Sequence, residues 1–281
     1  MSGADSETAW QSLEGRAFVE ACRWWLWCDA GFVREQSPPN TLDRHMVRRI
    51  CNMYQVSRTI PLEMMPDAEG RQRRNGEIRQ VPVPGDPRAV LFGCKIAAFA
   101  KQEHDGLHKT AQELSKVIKT IAKDNGGRQP ISAATKVLWF LRPRGWTMFD
   151  RWAALGVLGR HANNLKCMED FYKTLEDRGF DACLQSLREE LQGSPFGAQL
   201  AERVIDKYLF LVGFSRKGAE QPSDADSELS GGIAASRYQD GFLQALPSEL
   251  RAQITATAGK LNGFKALQGL CEPPPSLGDE A

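Results

Sequence analysis

The stretch Ser132–Asp150, SAATKVLWFLRPRGWTMFD, decides how this chain is read. Its first half has the composition of a helix that starts at the N-cap candidate Ser132, runs from Ala133 to Arg142 and is closed by Pro143. At 100° per residue, Ser132, Ala133, Trp139 and Phe140 share a face with Lys136, while Ala134, Val137, Leu138 and Leu141 cover the rest. A helix that is apolar nearly all round is an interior helix. Lys136 therefore stands in the middle of a buried element, among small residues and aromatics. Burial disfavours an ammonium, and a neutral amine is a nucleophile. The plain alternative is that Lys136 snorkels past Trp139 and keeps its charge in water.

Asp150 follows Met148 and Phe149 and precedes a second apolar segment, Arg151–Arg160. It reads as an N-cap, a role worth about 1 kcal/mol. The spacing also permits a second role. Two helices joined by a tight Pro/Gly loop can bring Lys136 and Asp150 to one mouth lined by Trp139, Trp146 and Phe149, whose other reading is core packing. Upstream, a helix from Leu107 to Asp124 carries Leu114, Val117, Ile118 and Ile121 on one face and stops at Asn125–Gly126–Gly127. Backbone N–H groups of such a turn bind phosphate oxygens, and Lys119, Lys123 and Arg128 flank it. Arg142 and Arg144, beside the expected mouth, are either phosphate contacts or surface charge.

The rest of the chain sets bounds. With 281 residues, 42% hydrophobic and 25% charged, it can bury a real core. Thirty-six basic and 35 acidic side chains leave a net charge of +1, so bulk charge names no partner. The seven cysteines include no CxxC pair, which argues against a disulfide framework, a zinc ribbon and an iron–sulfur motif. They read as small core residues of a protein in a reducing cytoplasm. His45, His104, His108 and His161 are scattered, and no metal or cofactor is expected. No apolar run reaches the roughly 18 residues of a membrane span, and the N-terminus has no signal-peptide core. Walker A, GxGxxG, HExxH and GxSxG patterns are absent from the sequence.

The expected class is all-α. Helices are anticipated over Glu7–Gly31, Thr41–Arg58, Pro87–Gln102 with Asp86 as cap, Leu165–Arg178, Asp181–Gln192 and Pro195–Val212. Residues 59–85, with Arg71, Arg73, Arg74 and Arg79 among glycines and prolines, read as a solvated loop or a basic arm, with short β-pieces near Ile78–Val83. The domain plan is a helical unit over 1–214, a flexible linker over 215–236, a short helical segment over 237–270 containing Tyr238–Ala245 and Ser248–Leu261, and a disordered tail over 271–281. The amphipathic helix Arg203–Phe210, with Asp206 and Tyr208, is a candidate to return to the site.

The stretch SAATKVLWFLRPRGWTMFD resembles the catalytic core of helix–hairpin–helix DNA glycosylases, especially the branch with the 8-oxoguanine glycosylase fold. The likeness spans about residues 107–160, with Gly-Gly-Arg-Gln-Pro standing where familiar members have Leu-Pro-Gly-Val-Gly. It implies two helical lobes with an active-site cleft between them. It also implies that Lys136 is the nucleophilic lysine, that Asp150 is the essential carboxylate, and that Asn125, Gly126, Gly127 and Arg128 form the DNA-clamping hairpin. On that basis the chain is expected to be a monomeric DNA glycosylase with DNA as its partner. It would flip and excise an oxidised purine, or a bulky modified base of foreign DNA in a defence role, with AP-lyase activity as an option. Trp139, Phe140, Arg142, Arg144, Trp146 and Phe149 would contact the flipped nucleotide. Two other readings stay open: a non-catalytic hairpin protein that binds DNA, and a helical protein-interaction module.

Overall fold

The computed structural model describes residues 9–35, 44–56, 60, 64–66, 70–72, 76–78, 80–82, 87–142, 144–160, 163–220, 239–264 and 267. Among the described residues the class is all-helical apart from one pair of short strands. Among the described residues no helix is long and apolar enough to cross a membrane.

Of the expected helix Glu7–Gly31, residues 7–8 lie outside the described residues, and the rest forms a short turn and a continuous helical run, 13–35, with a π turn inside it. A 3-10 turn, Ala9–Gln11, precedes α1 (Leu13–Trp24), whose cap Ser12 accepts from Gly15 N at 3.0 Å. The break follows from packing. Trp10 folds its backbone over the start of α1, so closely that a Cβ on Gly15 would lie 2.5 Å from Trp10 O. A π-helical turn, Trp25–Asp29, then leads into α2 (Ala30–Glu35). The wider π turn carries an extra residue and rotates the side chains after it. Asp29 ends fully buried, and Trp27 stands 60% exposed.

Helix α3 (Arg44–Met53) follows. Strands β1 (Met64–Pro66) and β2 (Gln80–Pro82) pair antiparallel with Met65 opposite Val81, and a bridge joins Gln72 to Ile78. Thr41, Arg73, Arg74, Arg79 and Asp86 lie outside the described residues. Then come α4 (Pro87–Ala100), α5 (Gly106–Asp124), α6 (Ile131–Leu141), α7 (Arg151–Leu158), α8 (Leu165–Asp177) and α9 (Phe180–Glu190). Asp105, at the cap position of α5, makes no side-chain cap bond. Glu176 of α8 does that work, its Oε2 accepting from His108 N at 2.8 Å.

A 3-10 turn, Ala198–Leu200, opens the long α10 (Ala201–Glu220). It runs eight residues past the expected end at Val212, into the stretch anticipated as linker. Aromatic packing explains the extension. Phe214 packs on Trp152 and Phe210 at 5.2 and 6.0 Å, and Arg216 donates to Leu155 O at 3.2 Å. The rest of the linker, over 221–236, and the tail over 271–281 lie outside the described residues.

The helices α11 (239–245) and α12 (Ser248–Ala258) are no separate unit. Leu243, Ile254, Phe264 and Leu267 join the same core as the rest, and Phe264 stacks on Tyr208 at 4.5 Å. Four cysteines, Cys22, Cys51, Cys167 and Cys183, are core residues as anticipated, whereas Cys94 is exposed on α4 because its helix turns that face outward.

Helices α7 and α10 cross closely at a pair of glycines. A Cβ on Gly156 would sit 2.5 Å from Leu209 O and 2.9 Å from Gly213 N. Gly213→Ala is expected to cost about 3 kcal/mol, because backbone rather than a flexible side chain must yield. Urea unfolding reads this directly, and an unchanged midpoint would mean that the crossing opens freely.

Candidate active site

Helix α6 is buried over its whole length, from Ile131 to Leu141. It starts earlier than the sequence suggests, with Pro130 before its first turn and Ser132 inside it. The serine hydroxyl is thereby released from capping. Ser132 Oγ donates to Phe149 O at 3.2 Å and accepts from Lys136 Nζ at 2.8 Å. Lys136 does not snorkel: it is 4% exposed. Its Nζ meets Phe149 O at 3.4 Å and Asp150 Oδ2 at 3.5 Å. Three acceptors thus surround one buried ammonium, matching its three donors.

The second half of the pair is built by the extended segment 144–150. Trp146 stacks on Tyr172 at 4.1 Å and donates from Nε1 to Thr135 O at 3.2 Å. Tyr172 donates to Thr147 O at 2.8 Å, and Phe149 N donates to Thr135 Oγ1 at 3.3 Å. These bonds fix the strand-like run against α6 and α8. Asp150 then caps α7, as expected, with Oδ1 accepting from Trp152 N at 2.9 Å and Ala153 N at 3.0 Å. Capping occupies one carboxylate oxygen. The other faces Lys136, and the side chain remains 28% exposed. Burial by itself would raise the Asp150 carboxyl, but Lys136, the two backbone donors and Lys207 together hold it below its usual value.

A second group of charges stands behind this pair. Arg203 of α10, fully buried, donates from Nε to Asp29 Oδ2 at 2.8 Å and from Nη2 to Tyr54 Oη at 2.7 Å. Its Nη1 pairs with Asp206 and lies 3.4 Å from Met148 Sδ. Tyr54 donates to Asp29 Oδ1 at 2.6 Å. Burial works against the guanidinium, yet Asp29, Tyr54 and Asp206 hold it above its ordinary value. Burial pushes the Asp206 carboxyl up, against Arg203 and Lys207. The same helix grips the site segment a second time, where Glu202 Oε1 accepts from Gly145 N at 2.9 Å. The helix carrying Arg203 to Phe210 does therefore return to the site.

The structure brings together Lys136 and Asp150 but not the other anticipated contacts. Gly126 and Gly127 form an exposed turn at φ +59° and +83°, with Arg128 exposed beside them, at the far end of the connection into α6. Arg142 reaches Gln102 O at 3.1 Å, and Arg144 is exposed. Trp139, Phe140, Trp146 and Phe149 are at most 2% exposed. That corrects the expectation of a stacking wall: their rings fill the core between α6, α8 and the residues around Tyr54, and present no face to a nucleotide. Among the described residues, the rings at these charges that are not fully buried are Trp24, Tyr54 and Phe210, with the exposed Trp27 edge-on to Trp24. Among the described residues no cluster of His, Cys, Asp or Glu is disposed to hold a metal ion. Comparisons with family models, curated proteins and solved structures find no match for the chain.

Proposed function

We propose that this chain is a helix–hairpin–helix DNA glycosylase, with two helical lobes and a cleft, that extrudes a modified base and cuts its N-glycosidic bond at Lys136 and Asp150. The supporting observation is the meeting of a buried amine and a partly exposed carboxylate, 3.5 Å apart, on successive helices. Cleavage leaves positive charge on the deoxyribose carbon. A carboxylate held low by its surroundings is ionised at neutral pH and stabilises that charge without reorganising.

Lys136 supplies the second function. Once its proton passes to solvent, Nζ bonds to the sugar carbon as the base departs with the bonding electrons and takes up a proton. The sugar ring opens to an imine, and loss of the neighbouring proton expels the 3′ phosphate by β-elimination. If water attacks instead, the base is released and the strand stays intact. The backbone N–H of Gly126, with the exposed side chains of Lys119, Lys123 and Arg128, would hold the phosphates, since Gly127 N already donates to Ala122 O at 2.9 Å. The base is an oxidised purine or a bulky modified base of foreign DNA.

The experiment incubates the protein with duplexes carrying each class of base and detects free base by mass spectrometry, with borohydride present to trap a covalent adduct. Release is expected, and Lys136→Gln is expected to abolish the adduct completely. Release without trapping would reduce the activity to the water route. Salt-dependent DNA binding with no release from any duplex would replace the enzyme with a DNA-binding protein.

A further inference from the structure

Lys207 lies on α10 next to Asp206, and its side chain is 9% exposed. Its Nζ sits 4.3 Å from the centroid of Trp24 and 5.8 Å from that of Phe210. The nearest carboxylate oxygen, Asp206 Oδ2, is 3.9 Å away, beyond hydrogen-bond distance, and already accepts from Arg203. Among the described residues Lys207 Nζ donates no hydrogen bond. This sets it apart from the other two cations of the cluster, since Arg203 and Lys136 both donate to acceptors around them. The side chain is largely buried, but the ammonium is not sealed off from the surface, so these donors are open to a ligand.

The surroundings narrow its chemistry. Trp24 is fixed by its Nε1 bond to Glu20 Oε1 at 2.7 Å and by stacking on Tyr54 at 5.1 Å. Trp24 and Phe210 are half-buried, and the exposed Trp27 meets Trp24 edge-on at 5.2 Å. A flat heterocycle gains stacking on such a rim. A phosphate does not fit, because the carboxylates of Asp206, Glu20, Asp29 and Asp150 already act on this amine, and among the described residues no second cation with open donors stands there. Burial and the Arg203 charge bring the Lys207 amine down to about 8, against the pull of Asp206, Glu20 and Asp29. The charge of Lys207 also helps to hold the Asp150 carboxyl low, which puts the two groups within electrostatic reach.

We propose that Lys207 is the group that reads the extruded base, its ammonium donating to an oxygen or ring-nitrogen acceptor on the base edge while the ring rests against Trp24 and Phe210. The assignment of the ligand as a DNA base rests on the glycosylase reading, but the seat itself is testable without catalysis. The full chain is titrated with 8-oxo-2′-deoxyguanosine and binding is followed by calorimetry. Saturable binding is expected, weakened at least tenfold in Lys207→Met and in Lys207→Gln. Lys173→Gln, which removes an exposed lysine of α8, should bind as the wild type does, and inorganic phosphate should not compete. Both Lys207 variants should melt no lower than the wild type, so that lost binding is not lost folding.

No saturable binding by the wild type, or equal binding by folded Lys207 variants, overturns the proposal. Displacement of the nucleoside by phosphate overturns it as well, in favour of an anion site. If nucleoside binding follows the expected pattern while no modified duplex releases a base, the enzyme reading fails and the seat stands. Base release with binding indifferent to Lys207 does the reverse: the enzyme reading stands and the seat fails.

Discussion

Asp150→Asn is expected to lower base release by about a thousandfold, the scale on which a preorganised charge acts at a developing transition state. Asparagine caps a helix as well as aspartate does, so the bonds from Trp152 N and Ala153 N persist. What disappears is the negative charge 3.5 Å from Lys136 Nζ. Lys136 keeps Ser132 Oγ and Phe149 O, so the loss of stability should be about 1–3 kcal/mol rather than collapse. The pH dependence identifies the cause. Because the folded carboxyl is held below its ordinary value, its stabilisation is fully present above that ordinary value and is lost as pH falls through the folded one. Melting temperature measured against pH should show that acid limb in the wild type and a weaker one in the variant. Base release by Asp150→Asn at the wild-type rate would remove the carboxylate from the chemistry.

Arg203→Met should have the largest effect on stability. It strands Asp29 and Asp206 in the core, the first fully buried and the second 6% exposed, with no counter-charge from the guanidinium. Breaking a buried pair from one side costs about 3–5 kcal/mol, which in a domain of this size lowers the melting temperature on the order of 10 °C. Lysine is no remedy, since it lacks the planar fork that reaches Asp29, Tyr54 and Asp206 at once. The triple variant Arg203→Met with Asp29→Asn and Asp206→Asn should recover part of the loss, because the stranded charges go with it. A single variant whose melting temperature barely moves would show that water reaches the cluster.

Local pattern makes the Lys136–Asp150 pair legible. A lysine inside an otherwise apolar helix, and an aspartate immediately before the next one, each signal a constrained position within a few residues. Ser132 escapes such a reading because its hydroxyl has two uses, and only the position of Phe149 decides between them. The Asp29–Arg203 cluster is out of reach for a different reason. Its members are 174 positions apart, and each sits on a helix where a charge ordinarily faces water. The π turn that carries Asp29 inward leaves no composition signature in Trp25–Asp29. Trp139, Trp146 and Phe149 suggest a wall because they neighbour Lys136 in sequence, and the same adjacency is what draws them into the core around it.

The link between Asp29 and Arg203 also bears on how the protein is made. On the ribosome, Asp29 emerges long before its counter-ion exists, and Phe264 and Leu267, the last core residues among those described, follow later still. Until then the nascent chain carries an acid with no base to meet it and a hydrophobic seam with no cover. Vectorial folding from the N-terminus therefore cannot complete this core by itself. Its first segments reach their final packing only once α10 and the residues around Phe264 have been made.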